Sequence, residues 1–265
     1  MSQPLQITSA QNSKIKLVNR LRSKRGRLRE ARFVIDYKRD LQRAVQHGYD
    51  IDFVLHCPEI SLAQDCADCE SHQLRPALFK RVSYRENPDG ILAVLHSKPA
   101  KALAQLEAAE FNHALVLVKL GVPGNLGALL RTADAVGLDA VILVDTAIDI
   151  YNPNVIRSST GACFLDNIFR LSSHEALACF RAARFQVVAA DVSGARTLYD
   201  VDFRRKSVIV LGSEDSGLTG DWINAADQVA RIPMSGAASD SLNVSVSGSL
   251  FMYELYRQNQ LGKSS

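Results

Sequence analysis

Small polar and apolar residues share one stretch near the end of the chain, Ile232-Pro-Met-Ser-Gly-Ala-Ala-Ser-Asp-Ser-Leu-Asn-Val-Ser-Val-Ser247. Small side chains let a ligand lie directly against the main chain, and Pro233 and Gly236 favour tight turns. The pattern predicts a buried backbone whose polar groups face a ligand. The purely structural alternative is a strand, a loop and a helix that is capped by Ser241 and reaches Tyr256.

Two earlier stretches place this segment in a parallel α/β sheet. Apolar runs at 114–118 and 140–144 flank the glycine-bearing segment 122–137, as expected for a strand, a turn, a helix and a second strand. A third apolar run ends in a polar loop within residues 207–218. Ligands of open α/β sheets bind beyond the carboxyl ends of the strands, which is where these loops fall.

Three short motifs follow one another in this half of the chain: Asn-x-Gly-x-x-x-Arg at 125–131, Leu-Gly-Ser-Glu-x-x-Gly-Leu at 211–218, and Ile-Pro-Met at 232–234 with Ser-Leu-Asn-Val-Ser at 241–245. Over roughly residues 111–257 they resemble the signature motifs of the SpoU (TrmH) class of SPOUT methyltransferases. The resemblance implies an α/β fold with a deep C-terminal trefoil knot and a homodimer. It also implies transfer of a methyl group from S-adenosylmethionine to a ribose 2′-hydroxyl in RNA.

The same resemblance implies roles for individual residues. The cofactor contacts of the family fall on Leu211, Gly212, Ile232, Met234, Ser241 and Leu242. Its catalytic positions fall on Arg131, Asn125 and Asn243. Because a guanidinium stays protonated and has no acceptor, we expect Arg131 to clamp the RNA and to stabilise the developing alkoxide. Glu214 has no base partner in its motif, so we expect a structural or inter-subunit role for it.

Positive charge is concentrated near the start of the chain. The whole sequence has a formal net charge of +3, whereas residues 14–43 alone hold twelve Lys and Arg against three acids. Such a run repels itself unless solvent or a polyanion lies beside it. A solvated helix face is one interpretation. The other, which we favour, is an RNA-binding surface formed by Lys24, Arg25, Arg27, Arg29 and Arg32.

The pattern of apolar runs divides the chain into two domains. Alternating strands and helices predict a small α/β domain over residues 1–96. Its segments 13–16, 32–35 and 87–94 resemble the ribosomal-protein-like (L30e-like) substrate-binding domain that precedes many SpoU catalytic domains. Residues 97–110 form a predicted linker with a short helix, and residues 111–265 form the predicted methyltransferase domain.

Several classes of protein are disfavoured by composition. The sequence lacks an apolar run of about 20 residues, the length that spans a bilayer, and its start does not match a secretory signal, so we expect a cytoplasmic protein. An odd number of cysteines, five, argues against a disulfide framework. The pair Cys66 and Cys69 supplies only one half of a structural zinc site, so we expect no metal.

The leading hypothesis for function is an S-adenosylmethionine-dependent 2′-O-methyltransferase that acts on 23S ribosomal RNA, because a substrate-binding domain precedes the catalytic one. Transfer RNA is the alternative substrate, and a non-catalytic RNA-binding protein with a degenerate methylase fold is the alternative class. Residues 121–127 also suit a nucleotide-binding turn of another α/β enzyme. The Lys-Ser/Thr pair of a phosphate-binding loop does not follow them.

Overall fold

The computed structural model describes residues 5–60, 69–107, 109–236, 238 and 240–261. The chain forms two compact units. The first unit comprises Met1–Pro99 and Asp149–Leu165, and the second comprises Ala100–Ile148 and Asp166–Ser265. The segment Asp149–Leu165 therefore belongs to the first unit by its contacts, although in sequence it lies far from the rest of that unit. Cys66, one half of the cysteine pair, lies outside the described residues.

The elements alternate along the chain as expected for an α/β protein. The strands are β1 (Leu5–Ile7), β2 (Arg32–Ile35), β3 (Ile51–His56), β4 (Ser71–Leu74), β5 (Ile91–His96), β6 (His113–Val118), β7 (Ala140–Val144), β8 (Ile168–Leu171), β9 (Gln186–Ala190), β10 (Arg196–Thr197), β11 (Ser207–Leu211) and β12 (Gln228–Arg231). The helices are α1 (Ser13–Leu21), α2 (Lys24–Glu30), α3 (Lys38–Gln46), α4 (Pro76–Val82), α5 (Leu103–Glu107), α6 (Pro123–Ala135), α7 (Pro153–Ser159), α8 (Ser173–Ala182), α9 (Gly220–Ala225) and α10 (Val244–Leu261). None of these described helices combines the length and the apolar character needed to cross a membrane.

The first unit is built on a mixed sheet in the order β1-β4-β3-β5-β2. Strands β1, β4 and β3 are parallel, and β5 is antiparallel to both β3 and β2. Helix α1 begins where the side chain of Asn12 accepts a hydrogen bond from the Lys14 amide at 2.9 Å. Its apolar residues are buried in the same core as those of β3 and β5. The predicted α/β class of the N-terminal domain is confirmed, and its bounds at residues 1–96 stay a prediction.

An aromatic cluster packs the segment Asp149–Leu165 within the first unit. The ring of Tyr151 stacks on Phe33 with 4.4 Å between centroids, and its hydroxyl lies 3.2 Å from that of Tyr49. Phe164 meets the ring of Tyr49 edge-on at 5.2 Å. Aromatic side chains bury large apolar areas, so this cluster gives the segment a core to join.

The described strands of the second unit form one seven-stranded sheet in the order β10-β12-β9-β11-β6-β7-β8. Every neighbouring pair is parallel. Buried apolar side chains on β6, β7, β9 and β11 explain why their sequences are almost continuously hydrophobic. The α/β class and the parallel sheet are confirmed. The strand order is consistent with the trefoil knot that the resemblance implies, and the knot itself stays a prediction.

Particular residues set the starts of two helices in the second unit. Helix α6 begins at Pro123, so Gly127 lies inside the helix. Proline suits the first helical position because its missing amide hydrogen has no partner there. At the start of α10 the side chain of Asn243 accepts from the Ser245 amide at 2.9 Å. The cap is therefore Asn243, and the cap at Ser241 that the purely structural alternative contained was wrong.

Candidate functional site

A cleft opens in the second unit where three adjacent parallel strands end. Strands β12, β9 and β11 are neighbours in the sheet, so the loops that follow their carboxyl ends meet on one edge. Together with the start of α10 these loops enclose a volume of about 570 Å³. Ligand pockets for small molecules commonly have volumes of about 300–1,000 Å³. The cleft is thus large enough for a nucleoside-sized ligand.

All six residues that the sequence proposed as cofactor contacts line this cleft: Leu211, Gly212, Ile232, Met234, Ser241 and Leu242. They come from two loops that are separated in sequence and brought together by the order of the strands. Met234 and Leu242 keep exposed apolar surface, as a site for a flat aromatic base requires.

The loop after β11 is packed so tightly that only glycine fits at its first position. A Cβ atom on Gly212 would lie 2.1 Å from the carbonyl carbon of Gly217. Backbone hydrogen bonds of 3.1 Å and 3.0 Å between Ser213 and Gly217 close the loop. The missing side chain of Gly212 makes room for the backbone of Gly217, and the main chain of Gly212 lines the cleft. This geometry suits a ligand whose polar edge is bound by backbone groups.

Asn125, Asn243 and Glu214 form a hydrogen-bonded chain beside the cleft. The Asn125 side chain donates to Glu214 Oε1 at 2.8 Å and accepts from the Asn243 side chain at 3.2 Å. Glu214 also accepts from the amides of Gly121 at 2.9 Å and Val122 at 3.1 Å. The carboxylate therefore holds the start of α6 and its preceding loop in place, a contact pattern typical of a structural residue.

The charge of Glu214 is stabilised by these donors. Burial by itself raises the pKa of Glu214, but hydrogen bonds from the Asn125 side chain and from the backbone amides of Gly121 and Val122 outweigh it. The net result is a pKa below the usual value for glutamate. Glu214 is consequently ionised at neutral pH and is unsuited to donating a proton there.

Arg131 lies about two turns along helix α6, on the exposed side of that helix. A different side of α6 faces α10, where Thr132 Oγ1 lies 3.0 Å from Ser249 Oγ. The structure thus brings Asn125 and Asn243 together, and Arg131 is not among the residues that line the cleft. Its guanidinium is open to a large ligand such as RNA.

Comparison with models of known protein families identifies the family of this chain. Residues 112–253 match the model of the SpoU rRNA Methylase family, and residues 12–93 match that of the MRM3-like substrate binding domain. The first match covers more than half of the chain. The chain belongs to the SpoU rRNA Methylase family. It is an RNA methyltransferase, and the resemblance stated from its motifs is confirmed.

Relatives of this SpoU methylase match it over nearly its whole length. A 23S rRNA (uridine(2479)-2′-O)-methyltransferase of Streptomyces viridochromogenes is 28% identical, over 90% of this chain and 87% of its own. The 23S rRNA (guanosine(2553)-2′-O)-methyltransferase RlmP of Bacillus subtilis is 27% identical, over 94% and 98%. A crystal structure of an AdoMet-bound rRNA methyltransferase from Sinorhizobium meliloti superimposes with a TM-score of 0.86 at 26% identity, over 97% of this chain and 98% of that one.

The side chains of the basic run in this SpoU methylase fall into two groups, one at least partly open to solvent and one buried. Lys24, Arg25 and Arg29 are exposed on α2, and Arg32 is half-buried beside Asp52. Arg27 differs, since its side chain is 4% exposed and its Nε lies 2.6 Å from a carboxylate oxygen of Asp149. A buried, paired guanidinium cannot reach a phosphate, so the prediction that Arg27 binds RNA was wrong.

Sequence reasoning missed several residues that line the cleft, and Asp191 is an acidic one among them. Asp191 directly follows β9 and faces the same space as Gly212 and Ile232. The available signal was an acidic residue immediately after the apolar run 187–190, at the carboxyl end of a strand. No recognised motif surrounds Asp191, so the sequence alone did not single it out.

Replacing Glu214 by glutamine tests its structural role. We expect Glu214→Gln to destabilise the second unit by about 1–3 kcal/mol at pH 7, because an amide NH₂ then faces a donor it cannot pair with. The lowered pKa means that the stabilisation by Glu214 is present above its unfolded-state pKa and is lost as pH falls through the folded-state pKa. The difference between the two proteins should therefore shrink in acid.

Urea denaturation at pH 7 and at pH values below 4 measures this difference. Asp215→Asn is the control, since Asp215 is exposed and adjacent. Equal stability of Glu214→Gln and wild type at pH 7 would contradict the role assigned to the carboxylate.

Proposed function

We propose that this SpoU methylase transfers the methyl group of S-adenosylmethionine to a ribose 2′-hydroxyl in 23S ribosomal RNA. The observation that carries the proposal is the cleft at the ends of β9, β11 and β12, which is lined by all six predicted cofactor residues. The 23S rRNA relatives and the substrate-binding domain at 12–93 support ribosomal RNA over transfer RNA. The ribosomal RNA substrate also supports a cytoplasmic location.

The side chains of Asn125 and Asn243 are suited to stabilise the ribose 2′-oxygen and are not suited to remove its proton. When bound, S-adenosylmethionine supplies an electrophilic methyl group. Oδ1 of Asn125 already accepts from Asn243, and Oδ1 of Asn243 accepts from the Ser245 amide and hydroxyl at 2.9 Å and 2.6 Å. Among the described residues each of the two amide nitrogens donates one hydrogen bond, so each has one N–H left. These remaining donors can orient the 2′-oxygen and stabilise its developing negative charge.

Arg131 completes the set from the exposed side of α6. The guanidinium is a fixed positive charge with a planar fork, so it grips a phosphate in two places and lowers the energy of a neighbouring alkoxide. Placement of substrate by such groups accounts for much of the rate of an in-line displacement.

Mapping 2′-O-methyl groups in total RNA tests the function. We compare cells that have the gene, cells that lack it, and cells that carry the Arg131→Ala form. One 23S rRNA nucleotide should lose its methyl group in the second and third strains. A site lost from transfer RNA, with 23S rRNA unchanged, would overturn the ribosomal assignment.

The exposed part of the basic run is our proposed RNA-binding surface. Replacing Lys24, Arg25 and Arg29 by alanine should weaken RNA binding and reduce the slope of log affinity against log salt by about 2 to 3, since each lost phosphate contact removes about 0.7 to 0.9. Affinity for S-adenosylmethionine should not change. Filter binding across a salt series measures both quantities.

Lys80→Ala with Arg81→Ala is the matched control, because both residues are exposed in the same unit on α4. If this pair and the α2 triple variant flatten the salt slope equally per charge, the effect is generic attraction and the α2 surface is not the binding site.

The second unit supports a homodimer of the catalytic domain. Helix α10 exposes a row of apolar side chains, among them Leu250, Tyr253 and Tyr256, and Tyr253 is 53% exposed. With Leu198 and Tyr199 they line a predominantly apolar groove. Large exposed apolar patches mark sites of protein association.

Sedimentation of the purified protein tests the dimer. Wild type should sediment as a dimer, and Tyr253→Asp with Tyr256→Asp should sediment as a monomer with its fold intact, because two charges would be buried without partners. A wild-type monomer at micromolar concentration would contradict the proposal.

A further inference from the structure

Asp191 is held rigidly at the edge of the cleft. It lies one residue beyond β9, and its amide donates to the carbonyl of Ala230 on β12 at 3.0 Å. The turn that follows is closed by a hydrogen bond of 3.1 Å from the Gly194 amide to the Asp191 carbonyl. Arg231 donates to the Gly194 carbonyl from the neighbouring strand. The backbone of Asp191 is therefore fixed from both sides.

One oxygen of the Asp191 carboxylate is used by the turn and the other is not. Oδ1 accepts from the amide of Ser193 at 2.9 Å and from its hydroxyl at 2.6 Å. Oδ2 lies 3.8 Å from the place that a Cβ of Gly217 would occupy, and Gly217 has a φ of +65° that favours glycine. Within the described part of the chain Oδ2 accepts no hydrogen bond. A side chain at Gly217 would narrow the space in front of this oxygen.

The cleft surrounds this oxygen with the groups that recognise a nucleoside. Leu211, Ile232 and Leu242 supply apolar surface, and the backbone of Gly212 lines the same space. An acid at the carboxyl end of a parallel strand is suited to accept hydrogen bonds from ribose hydroxyls. A vicinal diol presents two O–H donors to such a carboxylate.

We propose that Asp191 binds the ribose hydroxyls of the adenosine part of S-adenosylmethionine and so fixes the position of the cofactor. The inference rests on the proposed function of the cleft as the cofactor site. Asp191 is a positioning residue, since its carboxylate acts on the ribose and not on the reacting methyl group.

Asp191→Asn removes one acceptor and keeps the other. The asparagine oxygen still accepts from Ser193, but its NH₂ cannot accept from a hydroxyl. We expect the affinity for S-adenosylhomocysteine and for 5′-methylthioadenosine to fall by about 10- to 100-fold, the range for a lost hydrogen bond to a charged group. Calorimetry measures both. Asp215→Asn, which removes the same charge from the same cleft, should change affinity little.

Ribose-modified ligands separate a direct bond from a structural role. Removing the bonded hydroxyl from 5′-methylthioadenosine, as its 2′-deoxy or 3′-deoxy form, should weaken binding to wild type by about tenfold or more. The Asp191→Asn variant has already lost the acceptor. Removal of the same hydroxyl from the ligand should therefore change the affinity of this variant little. Should Asp191→Asn not fold, Asp191→Glu is the second variant. It keeps the charge but displaces the carboxylate by one methylene, so it should show the same insensitivity to the deoxy forms.

Each other outcome overturns the proposal. An equal penalty for the deoxy ligands in wild type and variant assigns Asp191 to the loop structure alone. A fall confined to S-adenosylhomocysteine, with 5′-methylthioadenosine unchanged, assigns it to the ammonium group of the ligand. If wild type binds neither ligand, the cleft is not the cofactor site, and the proposed function fails together with this inference.

Discussion

Arg131→Ala should reduce methyl transfer to the target RNA by at least about 10²- to 10³-fold, the cost of removing a group that stabilises a developing oxyanion. Arg131 is exposed on α6 and is not among the residues that line the cleft. We therefore expect the melting temperature and the affinity for S-adenosylmethionine to stay near the wild-type values. The loss should fall on the chemical step and on the placement of RNA.

Arg131→Lys distinguishes the two actions assigned to the guanidinium. Lysine keeps the positive charge and loses the planar fork that grips a phosphate in two places. If charge stabilisation of the alkoxide dominates, the lysine variant should retain part of the activity. If two-point placement of the RNA dominates, lysine should be nearly as inactive as alanine.

Single-turnover rates at saturating RNA measure these differences without interference from product release. Arg181→Ala is the matched control, because Arg181 is an exposed arginine on a helix of the same unit. Wild-type turnover by Arg131→Ala would falsify the catalytic assignment and move attention to Asn125 and Asn243.

Arg27→Ala should destabilise the first unit by about 3–5 kcal/mol, the typical cost of leaving one member of a buried ion pair alone. Its partner Asp149 is 9% exposed and cannot regain full solvation in the folded state. The same guanidinium donates to the carbonyls of Leu21 and Arg22 at 2.9 Å and 3.0 Å. These carbonyls belong to the end of α1, where backbone acceptors have no partner within the helix.

A double-mutant cycle isolates the pair. Arg27→Ala with Asp149→Ala should cost less than the sum of the two single changes, because the double variant leaves no uncompensated buried charge. Urea denaturation supplies the free energies of unfolding. Arg29→Ala is the control, since Arg29 lies two residues away and pairs with Glu30 in solvent.

One outcome would contradict the structural role of Arg27. If Arg27→Ala were as stable as wild type and instead weakened RNA binding, Arg27 would belong to the RNA-binding surface after all. The expected pattern is the reverse, with stability lost in Arg27→Ala and RNA affinity lost in the α2 triple variant.

Local sequence determined the main strands of the second unit and the family of this protein. Continuous apolar runs at 114–118 and 140–144 predicted strands β6 and β7, because a strand covered on both faces cannot carry polar side chains. Family membership followed from three motifs in which small residues are required. Gly212 shows the reason, since any side chain there would collide with the backbone of Gly217. Such constraints are local, so they leave a mark in the sequence.

Only the tertiary structure decided which polar residues meet. Arg27 and Asp149 are 122 positions apart, and Asn125 and Asn243 are 118 apart. Within the basic run Arg27 resembles its neighbours, and it is buried by its contacts with Asp149 and with the end of α1. The strand order likewise decides the position of Asp191. It sets β9 between β11 and β12, so the residue that follows β9 lies at the cleft. Long-range pairing depends on how elements pack, and hydrophobic periodicity records which face is buried without recording what covers it.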